Sequence, residues 1–316
     1  MRRRAARPSP VLALLCTALA FSLPQMLAKD AQAYCRSTTC AADKEVCTTD
    51  RDGCVVEGTP LRWGTGCVTF AVEVTGSPRW GIDFSEAREA ARGAFNAWVS
   101  ARCSDRGDHP SLGAIDLGGV ECGHPEYNDD PPLPNANSII FRDDEWPYGD
   151  NSTALAITTI SFDSETGELL DADIEVNSAS VALSVGDINV STDLQAILTH
   201  ETGHLLGLAH SSVADATMSS SYDGTDLGFR VLASDDERAI CEAYRPGEDL
   251  NQCRGARPRY GFSRVCSEPY ENSGCQFAPS SGGFAGYAAF FAVLSLAVAR
   301  SGASRHRGAR RSSSCR

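Results

Sequence analysis

The stretch between residues 34 and 282 is poor in basic charge and has no long hydrophobic run. A shortage of basic groups against many acidic ones argues against a nucleic-acid partner, whose phosphates need a cationic surface. The whole 316-residue chain carries −13, yet its two ends are basic. Residues 1–33 contribute +4 and residues 283–316 contribute +6, which leaves −23 on residues 34–282. An acidic body of this kind suits an exported protein, including one that binds calcium. The lack of repeated apolar spans argues against a multi-span membrane protein, and 42% hydrophobic with 22% charged residues argues against wholesale disorder. No internal repeat is evident, so the length fits one substantial domain with smaller appendages.

Apolar runs occur only at the two ends. Arg2, Arg3, Arg4 and Arg7 precede the run Val11–Leu23, and Ala31-Gln32-Ala33 follow it just before Tyr34. That order is the one of a secretory signal peptide ending at residue 33. The second run, Gly283–Ala299, would be about 25 Å long as a helix, a marginal membrane span. Arg300, Arg305, Arg307, Arg310 and Arg311 follow it and would stay on the inner side of a membrane. Export also makes the thirteen cysteines candidates for disulfides. Cys16 lies in the leader. Cys35, Cys40, Cys47, Cys54, Cys67, Cys103, Cys122, Cys241, Cys253 and Cys266 can pair fully, which leaves Cys275 and Cys315 in the C-terminal region.

Residues 34–59 are dense in cysteine and turns, so crosslinks rather than a core must hold them. From Cys67 to Val74 the pattern alternates and reads as a strand. A helix is predicted from near Ser85, with Glu86 and Glu89 in its first turn and Ala87, Ala90, Ala91, Ala94, Phe95 and Trp98 as its apolar face. Residues 103–137 read as loop, broken by Asp129-Asp130-Pro131-Pro132, and Ser138–Phe141 as a short strand. Ala154–Asp163 and Leu169–Asn177 are β-rich runs joined by a turn at Ser164–Gly167. The second alternates acidic with apolar residues, which reads either as a solvated edge face or as calcium ligation by Asp171, Asp173 and Glu175. Thr192 with Gln195, and Ser234 with Glu237, form capping boxes that predict two further helices.

One residue pattern carries chemistry. His200-Glu201-Thr202-Gly203-His204-Leu205-Leu206-Gly207-Leu208-Ala209-His210 holds three of the six histidines within eleven residues. Positions i and i+4 share a helix face, so His200 and His204 can present imidazoles to one ion. A third ligand requires the chain to leave the helix, and Gly207 allows this through a positive φ, delivering His210. Three neutral imidazoles with an open fourth position make a catalytic zinc pattern, whereas a structural site would be closed. Glu201, next to a ligand, can act as general base toward a water acidified by the ion.

With Ser211 directly after the third histidine and Met218 eight residues beyond it, the pattern resembles the metzincin metallopeptidases, and within them the matrixin-like (matrix metalloproteinase-type) group. The resemblance covers roughly residues 60–246 and is strong from His200 to Tyr222. It implies that Met218 lies in a turn beneath the metal as a hydrophobic floor, not as a ligand. It implies too that Tyr222 lines a specificity pocket, although Ser220 replaces the proline usual there, and that Ala154–Ser161 is the edge strand to which a substrate adds antiparallel. The family's second, structural zinc has only His109 and His124 as candidates here, without matching spacing. Glu121-Cys122-Gly123-His124-Pro125 superficially resembles the family's latency motif, but its place after the first strand and helix assigns Cys122 to a disulfide. The C-terminal run resembles the surface-sorting tails of myxobacteria and similar Gram-negative bacteria, with Cys275 as the processing position.

The expected fold is therefore α/β (α+β): a metzincin-type catalytic domain with a twisted mixed sheet, an active-site helix, a backing helix and a small irregular C-terminal subdomain. The expected organisation is a leader at 1–33, a Cys-rich segment at 34–59, the catalytic domain at 60–246, a Cys-containing linker at 247–282 and an anchoring or sorting tail at 283–316. The expected function is hydrolysis of polypeptides by a secreted or surface-anchored zinc metalloendopeptidase. It would use one catalytic zinc held by His200, His204 and His210, with Glu201 as base. The alternative is a catalytically silent surface adhesion module on the same fold, against which Glu201 argues, because a binding module has no use for that carboxylate.

Overall fold

A computed structural model describes residues 34–40, 46–104, 107–149, 153–222, 224–247 and 250–266, together with the backbone of residues 310–313. The expected leader, the apolar run at 283–299 and Cys275 lie outside the described residues. Among those described, no helix is long and apolar enough to cross a membrane.

In chain order the elements are β1 (Cys35–Arg36), β2 (Cys67–Glu73), α1 (Phe84–Val99), β3 (Gly113–Val120), β4 (Ser138–Phe141), β5 (Ala156–Phe162) and β6 (Leu169–Val176). β7 (Leu183–Ser184), β8 (Thr192–Asp193), α2 (Leu194–Leu205), β9 (Leu208–Ala209), α3 (Ser234–Ala243) and β10 (Arg310–Ser313) follow. The main sheet runs β5-β6-β4-β2-β3, with β5 antiparallel to β6 and the other pairs parallel. β10 adds antiparallel along the outer edge of β5, with Arg310 opposite Phe162 and Ser313 opposite Thr159. This is the mixed α/β arrangement expected from the sequence.

The two longer helices pack together over this sheet. On α1 the buried positions are Ala87, Ala90, Ala91, Ala94, Phe95 and Trp98, the predicted stripe, and Phe95 stacks on Phe70 of β2 at 4.1 Å. Small residues dominate the stripe, so α2 can approach α1 closely. The start of α1 is one residue earlier than the sequence suggests. Asp83 accepts from the Glu86 N–H at 2.9 Å, and Glu86 accepts from the Asp83 N–H at 3.0 Å, a reciprocal cap.

Four sequence expectations are corrected. Residues 103–137 contain β3, which Gly113, Gly118 and Gly119 conceal because glycine weakens any strand signal. Parallel pairing with β2 holds it in place. Asp193 rather than Thr192 caps α2, accepting from Ala196 N–H at 2.7 Å, while Thr192 is drawn into the β7–β8 pair. Ser234 is the first helical residue of α3 and not its cap; Asp236 accepts from the Ala233 N–H at 2.9 Å.

The last correction concerns the acidic strand. β6 is internal, and Asp171, Asp173 and Glu175 are all buried instead of forming a wet face. Asp173 accepts from the Ser138 N–H at 2.7 Å and the Glu126 N–H at 3.0 Å. Glu175 accepts from Arg142 at 2.5 Å and from the Tyr148 hydroxyl. These carboxylates tie loops across the sheet, which is why they tolerate burial.

Five disulfides use the ten cysteines expected to pair: Cys35–Cys54, Cys40–Cys47, Cys67–Cys253, Cys103–Cys241 and Cys122–Cys266. Two of them fasten residues 250–266 to the sheet, one at β2 and one just beyond β3.

Candidate metal centre

α2 carries His200 and His204 one helical turn apart, and its C-terminal end is anchored by buried side chains. The Trp63 indole N–H donates to Leu205 O at 2.9 Å and the Tyr244 hydroxyl to Leu206 O at 3.0 Å, satisfying carbonyls that a helix end leaves without partners. The chain then turns at Gly207, whose φ is +89°, and runs through β9 to His210. Gly207 is needed here for a second reason. A Cβ at this position would lie 2.3 Å from Leu61 O.

The three imidazoles converge. Their ligand atoms lie within 4.8 Å of one another, the only such group of three His, Cys, Asp or Glu among the described residues. His204 Nε2 is 3.1 Å from His200 Nε2 and 3.2 Å from His210 Nε2. Carbonyls fix the tautomer of two rings from behind: His200 Nδ1 meets Thr217 O at 2.7 Å and His204 Nδ1 meets Leu208 O at 2.9 Å. A carbonyl only accepts, so these Nδ1 atoms carry the proton and the Nε2 lone pairs point inward. Three lone pairs this close repel unless a cation lies between them. Tetrahedral zinc bound at about 2.05 Å would hold its nitrogens about 3.3 Å apart, close to the two separations measured from His204, so three inward-facing imidazoles fit the donor set of that ion.

Glu201 is buried beside His200, and Thr158 of β5 donates to its Oε2 at 2.7 Å. Burial raises the carboxyl's pKa, with His204 and the Thr158 hydroxyl pulling the other way. Met218 is buried under the helix, and a Cβ on Gly203 would meet its Sδ at 2.2 Å and the Trp98 ring at 2.7 Å. The turn containing Met218 is held by α3. Asp236 accepts from Thr217 N–H at 2.7 Å and Met218 N–H at 3.0 Å, and Ser211 donates to Asp235 at 2.6 Å. Tyr222 packs its ring on Phe229 at 4.7 Å and donates its hydroxyl to Gly224 O at 2.9 Å. His109 is elsewhere, with Nδ1 on Ala101 O at 2.9 Å, and Cys122 is in its disulfide with Cys266.

Several residues at the site have no signature in the sequence: Thr158 on the neighbouring strand, the Thr217 and Leu208 carbonyls behind the rings, and Asp236 beneath the Met218 turn. The Asp235-Asp236 pair after Ser234 was visible as a helix start, but not as a support for the turn.

Burial pushes the pKa of His200 and of His210 down from the ordinary 6.5 to about 3. The folded, metal-free protein therefore keeps both rings neutral where the unfolded chain protonates them. Its stability should fall as pH drops below 6.5 toward about 3, and these rings add no slope above 6.5. A denaturation series on chelated protein from pH 7 to pH 5 checks this. His210→Gln should remove about one proton from the slope, since other titrating groups cancel in the difference. Equal slopes for parent and variant would refute it.

This geometry brings three histidines together as a candidate metal site on an α/β scaffold. Residues 129–245, which carry the three histidines, Glu201, Met218 and Tyr222, match the family model described as matrixin, so this stretch is matrixin-like. Metalloendoproteinase 5-MMP of Arabidopsis thaliana is 36% identical over 74 residues, 23% of this chain and 20% of that protein. Matrix metalloproteinase-C of Caenorhabditis elegans is 26% identical over 194 residues, 59% of this chain and 29% of that protein. The chain thus spans less than a third of the length of these curated relatives.

Proposed function

We propose that this protein is a zinc-dependent endopeptidase acting outside the cytoplasm, with His200, His204 and His210 as metal ligands and Glu201 as general base. The observation that carries the reading is a buried carboxylate placed on the same helix as two of three convergent Nε2 donors. Burying a carboxylate is costly, and a silent adhesion module would gain nothing from it. The matrixin match and the names of the two relatives support the same reading.

Zinc, when bound, supplies Lewis acidity, making a water acidic near neutral pH and polarising a carbonyl. Glu201 does the proton work. Its Oε2 is engaged by Thr158, which leaves Oε1 to take a proton and later deliver it to the departing amine. Burial raises the carboxyl's proton affinity, as such a relay requires. Met218 and Trp98 exclude water from behind the helix. A polypeptide would lie extended along the outer edge of β5 in place of Arg310–Ser313, which pair antiparallel there, and Tyr222 would border its side-chain pocket. The products are two peptides.

The test is cleavage of an unfolded polypeptide by the processed protein, with chelator and with zinc restored. Cleavage should stop with chelator and return with zinc. A protein that binds zinc stoichiometrically yet cuts no member of a diverse peptide pool would sink the enzyme reading.

A further inference from the structure

The Cys-rich N-terminal segment reaches the metal centre from behind. β1 runs antiparallel to β9, with Cys35 opposite Ala209 and Arg36 opposite Leu208, so it pairs with the two residues that lead into His210. The contacts continue on both sides of the strand. Ser37 N–H donates to Gly207 O at 3.0 Å, and Arg36 Nε donates to the same carbonyl at 3.3 Å. Arg36 Nη2 donates to Leu61 O at 2.6 Å, while Leu61 N–H donates to Ser37 O at 2.8 Å. The Ser37 hydroxyl donates to Leu208 O at 3.1 Å, and that is the carbonyl which orients His204 through its Nδ1. β1 is anchored in turn by Cys35–Cys54 and by the Tyr34 hydroxyl, which donates to Glu242 on α3.

A two-residue strand has too few hydrogen bonds to hold its shape alone. The turn from Leu206 to His210 leaves the helix through a positive φ at Gly207 and continues into that short strand. Something must therefore fix it, and β1 is its strand partner. We propose that residues 34–37 are a positioning brace for the metal ligands, in which Arg36 and Ser37 hold the Gly207 and Leu208 carbonyls and so set both His210 and the ring of His204. The segment is part of the catalytic unit and not a cover to be removed from it. Arg36 and Ser37 are positioning residues, since neither touches the ligand nitrogens. The inference rests on the zinc-binding reading of the three histidines.

The test is zinc affinity, measured by competition with a chromogenic chelator on the full processed chain, alongside thermal unfolding of the metal-free protein. Arg36→Met should weaken zinc about tenfold or more, the range for residues that orient ligands, and Arg36→Lys should recover part of the loss. Ser37→Ala removes a single hydroxyl without threatening folding and should weaken zinc about threefold to tenfold. The control is Cys122→Ser with Cys266→Ser, which removes a crosslink beyond β3 and should lower the unfolding temperature while leaving zinc affinity unchanged. Zinc affinity equal to the parent in Ser37→Ala, or weakened as much in the control, overturns the brace. If the unmodified protein takes up no zinc, the reading of the site itself has failed; if it does and the variants match it, only the brace has failed.

Discussion

Replacing Glu201 by Gln should leave zinc bound and lower kcat/KM for peptide cleavage by about a thousandfold. Gln has nearly the same shape as Glu and can still accept from Thr158, so the helix and the three imidazoles have no reason to move. What it cannot do is take a proton. The effect should therefore fall on kcat, with KM nearly unchanged, because substrate contacts along β5 are untouched. Zinc content by elemental analysis separates loss of base from loss of metal. A Gln variant that retains more than about a tenth of parental kcat would show that the carboxylate is not the base. Thr158→Val is a useful companion, since it removes the hydroxyl that favours the ionised carboxylate and should move the acidic limb of the pH profile upward.

How much of this was legible in the sequence depends on whether the information is local. The His200, His204 and His210 spacing is local: two residues on one helical face, a glycine that permits the turn, and a third ligand just beyond it. The apolar stripe of α1 and the hairpin between β5 and β6 are local in the same sense. Thr158 lies 43 residues from Glu201 in sequence and reaches it only because the sheet sets β5 beside α2. Arg36 is 171 residues from Gly207. No periodicity or motif reports such a pairing. β3 was missed because three glycines suppress its strand signal, and it forms through parallel pairing with β2. β6 was misread for the opposite reason. Its alternation of acidic and apolar residues is a real two-faced pattern, but the acidic face meets backbone N–H groups, Arg142 and Tyr148 where solvent was expected.

Gly207→Val should be the most damaging single change at the turn, destabilising the protein by roughly 3–5 kcal/mol and abolishing zinc binding at micromolar concentrations. Two costs add. A β-branched residue held at a φ of +89° is strained by about 1–3 kcal/mol. Its Cβ would also fall 2.3 Å from Leu61 O and 2.9 Å from Leu61 C, atoms of the backbone that cannot swing aside as a side chain could. Leu61 is itself tied to Ser37 and Arg36, so relief of the clash has to break the contacts that hold Gly207 and Leu208. Whichever side moves, His210 leaves its place opposite His204. Gly81→Val provides the comparison, because Gly81 also has a positive φ, +67°, but nothing lies within 4 Å of its added Cβ. That variant should lose only the strain, about 1–3 kcal/mol, and keep its zinc. The difference between the two, read from denaturant unfolding and zinc titration, measures how far the close approach of Leu61 governs the third ligand. Similar losses in both variants would mean that backbone strain alone is responsible and that Leu61 plays no part.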